Sequence, residues 1–209
     1  ELTELENAVI GAHFVNMISG IGRLCYRSNR GMMPVCPYFL EDDIPDEKQA
    51  TGGSGKSIIV KLVVGSAVNV LNVDMKRFVT VTDAKFELGK LSSEPYKYRV
   101  LHWEDKPKAF PMKYFYNMVT SGLTVERKMV DPVTFSADDA PKSVITCNYP
   151  LSDDDDSTVG RFPLVSFSNR FARANPQKHK AARLMSALMK NFSDKPEEID
   201  DTDRNQAIY

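Results

Sequence analysis

Cysteine is scarce. Only Cys25, Cys36 and Cys147 occur in 209 residues, odd in number, widely spaced and without a CxxC unit. Neither a disulfide framework nor a zinc site is expected, and a reducing cytoplasm fits best. Long apolar runs are also missing. The longest, around Ile58–Val64, is broken by Lys61 and falls far short of the ~18–20 residues of a membrane span. The first 15 residues carry neither a basic start nor a long apolar stretch, so no secretory signal is read. The chain opens on Glu1 rather than Met, which suggests an excised domain. An excess of either charge is lacking too: 27 Lys+Arg stand against 28 Asp+Glu, a net charge of −1. That excludes a globally basic nucleic-acid binder but not a local basic patch.

What is present is an ordinary globular composition, 42% hydrophobic and 26% charged. The length suits one domain, or one with a satellite. We expect an N-terminal helical segment over 1–31, a core over 32–175, a helix over 176–190 and an acidic mobile tail over 191–209. The periodicity predicts a helix over 4–26, with Leu5, Val9, Ala12, Phe14, Met17, Ile18 and Ile21 as its stripe. Residues 32–40 read as a short buried strand and 41–51 as a polar loop. A helix is expected over 58–67 and strands over 68–73, 77–82 and 98–103. Then come a helix over 110–120, a hairpin over 123–135, and strands over 143–147 and 162–167. The run Asp153–Asp156 reads as an exposed loop. Six basic residues and no acidic ones lie between Arg170 and Lys190, and the face of a solvated helix accounts for them. Strands alternating with helices predict an α/β fold with a central, mostly parallel sheet flanked by helices.

The strongest chemical signal is Gly52-Gly53-Ser54-Gly55-Lys56-Ser57. It resembles a P-loop, although Ala50 stands where the usual pattern has its first glycine. Glycines let successive backbone N–H groups turn inward around phosphates, and a helix N-terminus adds partial positive charge. Lys56 would reach the β- and γ-phosphates of ATP, and Ser57 would bind Mg²⁺. A second signal is the apolar strand ending at Glu104-Asp105, which puts two carboxylates at the sheet edge where open α/β sheets bind ligands. Glu104 is assigned to the metal and Asp105 to the attacking water, although the roles are interchangeable on sequence. A third is the buried strand ending at Asn148, whose neutral amide suits a γ-phosphate sensor. His102, inside a strand, reads as a packed histidine, and His13 and His179 as surface residues.

These three motifs, in this order, resemble the superfamily 3 helicases of viruses, phages and mobile elements over about residues 50–170. The segment from Phe115 to Pro150 is similar to that family's additional motif. The resemblance implies an AAA+-like P-loop NTPase, a homo-oligomeric and hexameric ring, and ATP-driven movement along single-stranded DNA. It implies a channel hairpin on which Lys128, beside Arg127, grips the DNA backbone. It also implies an arginine finger at Arg161, acting on a neighbour's ATP. A primase or origin-binding domain in a longer chain would be in keeping. The rivals are a P-loop phosphotransferase and a nucleotide-gated assembly module that unwinds nothing.

Overall fold

Residues 3–26, 29, 33–41, 54–76, 78, 80–94, 96–127, 129–151 and 155–167 are described by the computed structural model. Five strands form the central sheet in the order β2-β3-β6-β1-β7: β1 (Tyr38–Glu41), β2 (Val70–Asp74), β3 (Val100–Glu104), β6 (Lys142–Cys147) and β7 (Leu164–Phe167). All four pairings are parallel. The remaining strands, β4 (Leu123–Arg127) and β5 (Val130–Phe135), make a separate antiparallel hairpin. The expected α/β architecture, a parallel sheet flanked by helices, is what the chain adopts.

Alternation along β3 shows how the sheet divides the core. Successive side chains of a strand point to opposite faces. Leu101 and Trp103 enter one apolar cluster, with Leu88, Leu91, Phe110 and Phe115, while Val100 enters the other, with Phe39, Val60, Val64 and Val165. Trp103 is fully buried. Its ring meets Phe115 edge-on at 5.2 Å, and its indole N–H donates to Ser143 Oγ at 3.2 Å. An aromatic pair of this kind adds about 1 kcal/mol beyond its burial.

Helix α1 (Glu4–Cys25) covers the second face with only its C-terminal half. Leu24 is buried, and Met17 and Ile21 pack beside it. The rest of the expected stripe is not buried: Leu5, Val9, Phe14 and Ile18 are exposed. Helix α2 begins as an α-turn at Lys56–Ile58, widens to a π-helix over Ile59–Val64 and closes at Gly65–Ala67. It buries Val60 and Val64 on the same face as α1.

The reading of 77–82 as a strand is overturned. Val81 begins helix α3 (Val81–Ser93), and Ala84, Leu88 and Leu91 are buried at helical spacing. The β-branched run at 79–82 favours extended backbone locally, but that apolar stripe against the hairpin decides the outcome. Helix α4 (Lys113–Thr120) buries Phe115 and Met118. The acidic run also differs from expectation. Asp155 caps a short helix, α5 (Asp156–Arg161), accepting from the Thr158 N–H at 2.7 Å. A side-chain acceptor at this position satisfies one of the orphan N–H groups of a helix start. The hairpin expected over 123–135 forms, with Val130 and Asp131 already in β5. The segments 176–190 and 191–209 lie outside the described residues.

Gly122 opens the hairpin at φ 100°, and a Cβ there would stand 2.3 Å from the Phe135 carbonyl oxygen. Both the left-handed backbone and the close approach require glycine. Gly122→Ala is expected to cost about 3 kcal/mol, read as a lower urea midpoint with an unchanged slope.

Candidate nucleotide-binding site

Register explains why the three sequence motifs converge. β6 lies between β1 and β3. Ile145 pairs with Tyr38 on one side and Trp103 on the other, and Cys147 pairs with Leu40. The strands therefore end level, and Glu41, Glu104, Asp105 and Asn148 share one carboxyl edge of the sheet. The turn after β6 is pinned there. Tyr38 Oη donates to the Tyr149 carbonyl at 2.8 Å, and Lys106 N donates to the Thr146 carbonyl at 3.3 Å.

The glycine-rich loop reaches this edge at its last residues. Gly55 has φ 89° and serves as N-cap of α2, and its carbonyl accepts the first helical bond from Ile59 N at 3.0 Å. Only glycine takes that backbone without strain. Lys56 is 6% exposed. Its Nζ donates to Ser54 Oγ at 2.8 Å and Asn148 Oδ1 at 2.9 Å, and pairs with Glu41 Oε2 at 3.4 Å. Burial lowers the Lys56 pKa, opposed chiefly by Glu41. The cation thus sits among three oxygens from three segments of the chain. A phosphate offers a set of the same chemistry.

Beside it, Lys61 Nζ pairs with Glu104 Oε1 at 2.7 Å. The Ser57 hydroxyl also helps to hold the Glu104 pKa down. Desolvation pushes the Glu104 pKa up, but the bonds from Lys61 and Ser57 outweigh it and the net shift is downward. Asp105 occupies the left-handed turn after β3 at φ 54° and pairs with Lys76 Nζ at 2.9 Å. Asp is among the residues that tolerate this conformation. Among the described residues no group of three or more His, Cys, Asp or Glu side chains could hold a metal. Mg²⁺ does not need one: it is commonly held by one or two carboxylates together with substrate phosphates and water. The Ser57 hydroxyl and the Glu104 carboxylate, at the same edge of the sheet, are hard oxygen donors that fit it.

Ser54, Gly55, Lys56, Ser57, Glu104, Asp105 and Asn148 therefore share one edge. Gly52, Gly53 and Lys128 lie outside the described residues. Arg127 ends β4 and pairs in register with Val130 beside the hairpin turn, where Met129 is fully exposed. Arg161 lies at the opposite end of the sheet. Its carbonyl accepts from Cys36 N at 2.8 Å, just before β1 begins. Its Nη1 donates to the Ser157 carbonyl at 2.8 Å, and its Cζ sits 5.1 Å from the centre of the Tyr116 ring. Its Nε is buried without a partner.

Three contributors were not read from the sequence. Composition places Glu41 in the polar loop, yet it is the last residue of β1 and 3% exposed. A carboxylate directly after the apolar run Tyr38-Phe39-Leu40 was the available signal. Lys61, a lone cation in an apolar run four residues after Ser57, could have been found by helical spacing. Lys76 carries no sequence signal that separates it from other surface lysines.

His102 is packed, as expected, and fully buried. Nδ1 lies 2.8 Å from Asn72 Oδ1 and Nε2 lies 3.0 Å from Thr146 Oγ1. Burial is the main cause that brings its pKa down to about 4; Glu104 opposes this and Lys61 assists it. The folded state then resists a proton that the unfolded chain accepts near its ordinary 6.5. Stability is expected to fall as pH drops from about 6.5 to 4, by on the order of 3 kcal/mol from this residue. Urea midpoints measured across that range check it, and His102→Gln should flatten the slope relative to wild type.

No family model matches the chain, and no curated protein matches it significantly. Solved structures do. A crystal structure of JCV helicase with a bound small acetamide aligns at TM-score 0.47 and 15% identity, covering 84% of this chain and 44% of that one. Two apo structures of the NrS-1 C-terminal region align at 0.46 and 0.43, with 14% and 17% identity. They cover 92% and 84% of this chain and 42% and 37% of theirs. The chain thus spans less than half the length of each. At TM-scores under 0.5 these likenesses carry no weight for function.

Proposed function

We propose that this chain is the motor domain of an ATP-dependent DNA helicase of the superfamily 3 type, from a replication protein. The observation that carries the reading is the convergence of Lys56, Ser57, Glu104, Asp105 and Asn148, drawn from three separated motifs, on one sheet edge.

In this reading Lys56 exchanges Glu41, Ser54 and Asn148 for the β- and γ-phosphate oxygens of ATP. Ser57 and Glu104 hold Mg²⁺, which when bound neutralises developing phosphate charge. Asp105 orients the attacking water, and Asn148, released from Lys56, contacts the γ-phosphate. Arg161 stands at the far end of the sheet from its own loop, so as an arginine finger it would serve a neighbouring subunit. A homo-oligomeric ring, hexameric in the family, follows from that role. To act, Arg161 would leave Ser157 and Tyr116, and its unpartnered Nε favours that exchange because a buried orphan donor is costly. The hairpin tip with Arg127 and Lys128 would contact single-stranded DNA, and a primase or origin-binding domain would belong to a longer chain.

ATPase turnover with and without single-stranded DNA, paired with mass measurement with and without nucleotide, tests the reading. DNA-stimulated turnover and nucleotide-dependent rings are expected. A strict monomer without DNA stimulation would indicate a phosphotransferase. Nucleotide-dependent rings that leave a labelled duplex intact in a parallel strand-displacement assay would indicate an assembly module.

A further inference from the structure

A cavity of about 200 Å³ opens at the other end of the sheet, where β1 and β6 begin. Arg23 of α1 and Lys142, the first residue of β6, both line it. Lys142 is 7% exposed, and its Nζ donates to the Tyr26 carbonyl and lies 5.6 Å from the centre of that ring. Arg23 donates from Nε to the Val35 carbonyl at 3.3 Å. Among the described residues no carboxylate pairs with either cation. Asp138 also lines the cavity; it is exposed and already has an interaction of its own.

The two cations are under-used. An ammonium has three N–H donors and a guanidinium five, yet each spends one on a carbonyl. Among the described residues the Arg23 Nη groups have no partner, and they are not among the buried unpartnered atoms, so they open to solvent. Desolvation leads the causes that lower the pKa of each, and Arg23 itself lowers that of Lys142. Two like charges drawn together out of water raise each other's cost, and an anion between them relieves both. Size narrows the ligand. Pockets for drug-sized molecules run about 300–1,000 Å³, so this one suits a single oxyanion rather than a nucleotide.

We propose that this cavity binds a phosphate group, held by the Arg23 guanidinium and the Lys142 ammonium. The site is separate from the edge that carries Lys56 and does not depend on the nucleotide reading. The phosphate comes from free inorganic phosphate or from the end of a polynucleotide strand.

The test is calorimetric titration of inorganic phosphate into the wild-type chain and into a Lys56→Ala/Glu41→Gln variant that removes the other anion site. Saturable binding that survives in the double variant and weakens at least about tenfold in Arg23→Gln and Lys142→Gln is expected. Binding lost in the double variant, binding indifferent to both substitutions, or no saturation below roughly 20 mM would overturn it. If Lys142→Gln fails to fold, the Arg23 pair decides: Arg23→Lys should retain binding that Arg23→Gln loses, and equal behaviour of the two overturns the assignment. Competition by a 5′-phosphorylated but not a 5′-hydroxyl oligonucleotide assigns the polynucleotide source. No competition by either assigns free phosphate.

Discussion

Lys56→Ala is expected to lower ATP turnover by at least about 10²–10³-fold, the usual scale for losing one preorganised charge contact on a transferring group. The substitution has a second consequence that must be separated from the first. Glu41 is 3% exposed and faces the Lys56 ammonium. Removing the cation alone leaves a buried carboxylate unpaired, which typically costs about 3–5 kcal/mol. The single variant should therefore be both inactive and less stable. Lys56→Ala combined with Glu41→Gln should recover much of the stability and none of the turnover. Turnover within threefold of wild type in either variant would remove Lys56 from the site.

The second large effect divides the carboxylates. Glu104 pairs with Lys61 beside the Ser57 end of the loop, whereas Asp105 reaches away on its own turn to Lys76. Glu104→Gln is expected to raise the Mg²⁺ concentration needed for half-maximal turnover at least about tenfold, because the amide is a poorer ligand for a hard cation. Asp105→Asn is expected to leave nucleotide binding within a fewfold and to lower kcat by about 10²–10³, the range for one general base. Titrating Mg²⁺ and ATP against both variants reads the split directly. The opposite pattern would exchange the two roles, and no effect from either would place the chemistry elsewhere.

Much of this site was legible because its parts are marked by local chemistry. Glycine before a lysine, a carboxylate pair closing an apolar strand, and an amide closing another each carry a physical signal. Their meeting depended on parallel register, which the alternation of strands and helices implies only in outline. Glu41 escaped because the boundary between strand and polar loop fell one residue later than composition suggests. Helix α3 escaped for a different reason. Val79-Thr80-Val81-Thr82 favours extended backbone, and the helical signal, Ala84, Leu88 and Leu91, starts only after it. Helix α5 was hidden in an acidic run, where Asp155 is the cap and Asp156 the first helical residue. The exposed half of α1 shows the reverse limit, since an apolar stripe states that a face can be buried but not what covers it.

If the proposed function holds, the protein oxygens around Lys56 stand where ATP phosphates would bind. Calorimetric titration of Mg·ATP into the wild-type chain and the Lys56→Ala/Glu41→Gln variant tests it most directly. Saturable binding by the wild type, lost in the variant while its fold is retained, is the predicted result. Equal binding by both, or none by the wild type at millimolar nucleotide, would contradict it.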